Sequence, residues 1–113
     1  MDKLKIYRSI IKQVLTRYYE IDLEQPSPGI ESILAFDEVR DHYFWGQVGW
    51  NQMGRTCGNT VYIRIKDGKV WVEEDLTEDG VTNDLLEAGI PRQDTVLGFQ
   101  HPRERVLTEF AVA

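Results

Sequence analysis

Ile63-Arg64-Ile65-Lys66-Asp67-Gly68-Lys69-Val70-Trp71-Val72 is the stretch that decides the fold. Two runs that alternate apolar and polar residues flank Asp67-Gly68, a dipeptide that favours a two-residue hairpin turn with positive φ. With those two residues as the loop, Lys66 faces Lys69, Ile65 faces Val70, Arg64 faces Trp71, Ile63 faces Val72 and Tyr62 faces Glu73. Side chains alternate across a strand, so one face of the hairpin is Val61, Ile63, Ile65, Val70 and Val72, which must be buried. The other face carries Tyr62, Arg64, Lys66, Lys69 and Trp71, where aromatic and cationic groups interleave, and Arg64 over Trp71 suits a cation–π pair.

Working outward, residues 30 to 75 hold short β-branched and aromatic runs separated by turn residues, which predicts strands near 30–38, 42–50, 57–66 and 69–75. Asn51-Gln52-Met53-Gly54-Arg55 supplies a longer hairpin loop between the second and third. Upstream, Leu4, Tyr7, Ile11, Val14, Leu15 and Tyr18 recur at helical spacing, predicting a helix from Asp2 to Glu20 that Gln25-Pro26-Ser27-Pro28-Gly29 ends. This helix is the nearest cover for the apolar hairpin face. Downstream, Thr77-Glu78-Asp79-Gly80 leads into a short helix with Val81, Leu85 and Leu86 on one side, and Gly89-Ile90-Pro91 stops it. Residues 95–99 read as extended, and His101-Pro102-Arg103-Glu104-Arg105 as one helical turn. The closing Thr108-Glu109-Phe110-Ala111-Val112-Ala113 is apolar enough to be docked rather than frayed. The expected class is α+β in a single domain over 1–113: an N-terminal helix packed on an antiparallel four-stranded meander, followed by a short helix and a C-terminal extended segment.

The net charge of −6 argues against a general nucleic-acid or membrane-surface binder, because an acidic field repels phosphate. The charge is polarised along the chain. Up to Tyr19, five basic residues (Lys3, Lys5, Arg8, Lys12, Arg17) stand against Asp2, so this segment is +4 and the other residues must total −10. Lys5, Arg8 and Lys12 share one helix flank, open to solvent, to a phosphate or to a partner. A single cysteine excludes an internal disulfide, and no run of signal or membrane-spanning length occurs, which makes the cytoplasm the expected compartment and a membrane partner unexpected.

No catalytic, cofactor-binding or metal-binding constellation stands out. Asp37, Asp41 and His42 cluster at a turn and, with Glu73 or Asp75, offer oxygen ligands for a hydrolytic metal, yet such acidic turns are common and a plain polar turn is the better reading. Cys57 with His42 or His101 lacks a nucleophile motif and reads as a small buried thiol. One Cys and two His give no zinc spacing, and the glycines match no phosphate loop. The aromatic-cationic face is thus the candidate site. It reads as a protein interface anchored by Tyr62, Arg64 and Trp71, with Trp45 a further candidate anchor, and with Phe110 and Val112 closing a sheet edge or crossing to a second subunit. It also fits a single-strand nucleic-acid platform using Tyr62, Arg64, Lys66, Lys69 and Trp71, opposed by the Glu73-Glu74-Asp75 acids that follow.

Several segments occur in a distinctive order: Tyr7-Arg8 in the helix; Asp41-His42-Tyr43 leading to Val48-Gly49-Trp50; the hairpin from Ile63 to Val72; Thr77-Glu78-Asp79-Gly80; Gly89-Ile90-Pro91; and the segment from Thr108 to Ala113. In these the chain resembles the XisI-like family of fdxN element excision controlling factors. The resemblance implies a non-enzymatic cyanobacterial accessory protein needed when a DNA element is excised, with strand exchange left to a separate recombinase. It also implies a XisH-like protein partner, alone or beside homo-oligomerisation, and at most indirect association with DNA.

Overall fold

The computed structural model describes residues 2–113. In chain order it contains α1 (Lys3–Glu24), β1 (Ile30–Asp37), β2 (His42–Asn51), β3 (Gly54–Lys66), β4 (Lys69–Asp75), α2 (Val81–Glu87), a 3-10 turn (Arg92–Asp94), β5 (Thr95–Leu97) and α3 (Pro102–Arg105). The sheet order is β1-β2-β3-β4-β5. The first four strands form the expected antiparallel meander, and β5 adds a fifth strand parallel to β4 through Val70↔Thr95, Trp71↔Val96 and Val72↔Leu97. The class is α+β, as the patterning indicated, with one strand more than expected. It lies within residues 95–99, which the sequence marks as extended; three residues long and wholly buried, it has no alternating pattern to mark it as a member of the sheet.

The decisive hairpin forms on Asp67 and Gly68, both at positive φ, and places Lys66↔Lys69, Ile65↔Val70, Arg64↔Trp71 and Ile63↔Val72 in register. Beyond Ile63 the expected register fails: a bulge shifts the ladder so that Tyr62 faces Glu74, not Glu73, and Val61 faces Asp75. Glu73 is the extra residue of β4; alternation from Trp71 puts it on the face of Arg64, and the two form an ion pair at 2.5 Å. The β2–β3 connection is also tighter than expected, since Asn51 pairs with Gly54 and leaves only Gln52 and Met53 as the loop.

Below the sheet lies α1, whose Tyr7, Ile11 and Leu15 are buried against Tyr43, Trp45, Val61, Ile63, Ile65, Val70 and Val72. The helix starts where Asp2 accepts the Leu4 amide, and it runs one turn past its expected end. Its basic flank is partly paired. Arg8 grips Asp41 through two hydrogen bonds and Lys12 reaches Glu38, and Lys3 nearby meets Asp94, so these three tie the helix to the rest of the domain, while Lys5 stays exposed with no ion pair among the described residues. Asp41 sits at φ 62 in the β1–β2 turn, a left-handed conformation that Asp tolerates.

The short helix α2 closes the core with Val81, Leu85 and the following Ile90. Gly89 is at φ 119, its amide bonds Leu86 O and the Ile90 amide bonds Leu85 O, the paired hydrogen bonds of a Schellman stop. Asp75 at the end of β4 accepts the Val81 amide, which joins the helix start to the sheet.

Ile63, fully buried between helix and sheet, reports on this packing. Ile63→Ala is expected to lower the unfolding free energy by about 2–5 kcal/mol, read by denaturant titration at unchanged slope. The Asp41 carboxyl is held below its ordinary value by the Arg8 guanidinium and the Tyr43 hydroxyl, and the Asp94 carboxyl by Tyr7 and Lys3. A depressed folded-state value contributes stability above the ordinary 3.8 that is lost as pH falls through the folded-state value. Stability is therefore expected to fall below about pH 4, less steeply in Asp41→Asn, whose remaining stability should depend less on acid.

Candidate protein-contact surface

Opposite α1, the outer face of the sheet divides into two parts. Over β4 and β5 it is covered by the chain itself. Arg105, from α3, lays its guanidinium 5.2 Å from the centre of the Trp71 ring, with Lys66 at 5.2 Å and Arg64 at 5.5 Å. The same guanidinium donates to the carbonyls of Leu97, Gly98, Gln100 and Val112, so one side chain clasps the loop after β5 and the closing segment together. That segment then adds to the β5 edge, where Ala111 bridges Val96 and its amide bonds Thr95 O.

This arrangement corrects the reading of Trp71 as an open anchor. The ring is 7 % exposed, and its indole N–H donates to Lys66 O. Three cations around one ring satisfy its polar face from within. Arg64 is likewise committed to Glu73, which removes free positive charge from the proposed nucleic-acid platform. Tyr62 is half-buried: its ring stacks on Phe44 at 4.3 Å and its hydroxyl contacts His42 Nδ1 at 2.7 Å. Burial, then the nearby Glu73, pushes the Tyr62 hydroxyl above its ordinary value against the opposing Arg64. Phe110 is half-buried and Val112 is 49 % exposed, flanking the Ala111 bridge at the sheet edge. Tyr62, Arg64 and Trp71 therefore lie side by side, while Phe110 and Val112 form a separate group across the covered part.

Over β1, β2 and β3 the outer face is uncovered. Register places Ile33 and Ala35 of β1, Phe44, Val48 and Trp50 of β2, and Cys57 and Tyr62 of β3 on it. Trp50 is 64 % exposed and Ile33 43 %, and Arg55 rests on the Trp50 ring. These residues were missed because His42-Tyr43-Phe44-Trp45 is apolar at both parities, so periodicity alone does not separate Phe44 from the buried Tyr43 and Trp45. Cys57 corrects the sequence reading directly: it stands exposed in β3 opposite Val48. The bulge between Trp45 and Gly46 shifts the β2–β3 register, and Cys57 shares a face with Val48, away from α1.

The hydrolytic alternative finds its residues already occupied. Asp37 accepts the amides of Val39 and Arg40, Asp41 is held by Arg8 and Tyr43, Glu73 pairs with Arg64 and Asp75 caps α2. Among the described residues no three His, Cys, Asp or Glu side chains gather to hold a metal ion. No helix of the described chain is long and apolar enough to cross a membrane.

A single long helix under a meander, with half of the far sheet face open and the other half latched by the chain's own closing segment, defines a two-layer α+β domain built around a surface rather than a cleft. Residues 1–112 match the family described as XisI protein. The chain belongs to the XisI family. It is 37 % identical to a XisI-like protein from Anabaena variabilis ATCC 29413, with TM-score 0.91 over 98 % of this chain and 100 % of that one. It is 42 % identical to the fdxN element excision controlling factor XisI from the same organism, with TM-score 0.83 over 99 % of this chain and 100 % of that one. No curated protein matches the chain.

The Arg105 clasp makes a local prediction. Arg105→Ala is expected to release the closing segment without unfolding the domain, raising hydrogen exchange at the Ala111 amide by about thirtyfold, the equivalent of about 2 kcal/mol in charge-assisted hydrogen bonds. The Ile63 and Ile65 amides in the central strand should keep their protection.

Proposed function

We propose that this chain is a non-catalytic controlling factor in the excision of a DNA element or a related DNA transaction, acting in the cytoplasm through protein contacts. The observation that carries this reading is the apolar outer face of β1–β3, where Ile33, Phe44, Val48 and Trp50 lie outside the core that α1 and α2 pack on the other side. Contiguous exposed apolar surface of this kind marks association sites. The function of the excision controlling factor among its relatives supplies the process.

In this reading the partner is a XisH-like protein, a second copy, or both. Tyr62 stands at the edge of the contact, stacked on Phe44. Trp71 acts from beside it, stacking on Arg105 and hence holding the closing segment in place, Arg64 orients that aromatic surface from its pair with Glu73, and Phe110 with Val112 forms a second, smaller contact at the β5 edge. Direct nucleic-acid binding would draw on the same surface with fewer free cations, because Arg64 is paired.

The test is light scattering of the purified chain, alone and with a XisH-like protein from a neighbouring gene. Trp50→Ala, at an exposed position, should keep its circular dichroism and melting temperature while weakening association about tenfold or more. A chain that stays a monomer, captures no partner and is indifferent to Trp50→Ala would sink the reading. Steeply salt-dependent DNA binding that Lys66→Glu reduces would replace it with the nucleic-acid one.

A further inference from the structure

We infer that the uncovered β1–β3 face receives a second copy of this chain, packed sheet on sheet about a twofold axis that runs parallel to β2. The inference rests on the protein-contact reading and names the partner for that part of the surface. Its ground is the way charge is sorted by strand. On the outer face, β1 presents Glu31, Ile33, Ala35 and Asp37, so its charges are all acidic. β3 presents Arg55, Cys57, Asn59, Tyr62, Arg64 and Lys66, so its charges are all basic. Between them β2 presents His42, Phe44, Gly46, Val48 and Trp50, with no Asp, Glu, Lys or Arg.

A twofold axis along β2 exchanges β1 and β3, which lays the acidic strand of each copy over the basic strand of the other and meets each contact twice. An axis across the strands would instead set β1 on β1 and β3 on β3, like charge on like. Glu31 and Arg55 make the choice concrete. They lie towards the same end of the face, two strands apart, and neither has an ion-pair partner among the described residues. They stand two strand spacings apart, about 10 Å, and do not pair within the chain. Across the proposed axis each comes opposite the other's counterpart.

Shape agrees with charge. Aligned sheets pack about 10 Å apart and cross at about −30°, so the closest approach falls at the middle of β2. The axis preserves position along β2, so Phe44, Val48 and Trp50 of one copy meet the same residues of the other, apolar on apolar. Three strands by ten residues cover about 450 Å² of flat sheet per copy, so the pair buries roughly 1,000 Å² once side-chain relief is counted, near the lower bound for a specific interface. The expected dimer is therefore modest in affinity, at the micromolar level.

Sedimentation velocity from about 1 to about 300 µM tests the pairing across that micromolar range. The wild-type mass should rise from monomer to dimer, and Cys57, on the covered face, should react progressively more slowly with a maleimide as concentration increases. Glu31→Lys and Arg55→Glu, both at exposed positions, should each weaken dimerisation about tenfold. Mixing the two variants in equal amounts should restore it, because both ion pairs then re-form with their signs exchanged. A monomer at every concentration, or a mixture no more associated than either variant, overturns the twofold arrangement. If the chain stays a monomer while Trp50→Ala still abolishes capture of a XisH-like protein, the dimer falls and the broader contact reading stands; if Trp50→Ala changes neither, both fall.

Discussion

A domain with one long helix can cover one face of one sheet, and the consequences of that limit run through the whole structure. The stripe of Tyr7, Ile11 and Leu15 is buried against the inner sides of β2, β3 and β4, and burial of apolar area at this contact is the main source of stability. The 22-residue helix is held in place by ion pairs at the rim, Arg8 with Asp41 and Lys12 with Glu38, and by tyrosine hydroxyls of α1 that reach Asp94 and Asp84. Such hydrogen bonds are individually modest, yet they fix where on the sheet the stripe lands. With α1 and the short α2 both on that side, the opposite sheet face has only the four-residue α3 to cover it, over its β4–β5 end.

The chain resolves the uncovered face in two ways. At the β4–β5 end it folds its own closing segment over, using Arg105 as the joint: the guanidinium stacks on Trp71 and donates to four carbonyls that would otherwise compete for water. At the β1–β3 end it leaves aromatic and aliphatic groups facing outward beside sorted charges. A shared fold with XisI proteins over the full chain makes this a family architecture.

Much of this was legible in the residues because it rests on local chemistry. Asp67-Gly68 demands a tight turn whatever surrounds it, and the register follows outward to Ile63. Gly89-Ile90-Pro91 ends α2 for an equally local reason, and the spacing of Leu4, Tyr7, Ile11 and Leu15 specifies a helical stripe. Legibility stops where alternation stops. Glu73, Glu74 and Asp75 are polar at both parities, so nothing in the pattern marks the bulge that moves Tyr62 from Glu73 to Glu74. The aromatic run in β2 hides its outward members in the same way.

What the sequence determined by itself is therefore the set of elements, the turn that orders the central hairpin and the two chemically distinct faces of that hairpin, since each depends on neighbours within a few residues. Only the tertiary structure decided which part of the second face meets solvent. Trp71 is covered because Arg105, remote along the chain, is carried over it by β5 and α3, and Arg8 and Lys12 on the basic flank of α1 are paired because the β1–β2 turn brings Asp41 and Glu38 beside them. Contacts between residues distant in sequence depend on how layers stack, and no local pattern of charge or hydropathy encodes that.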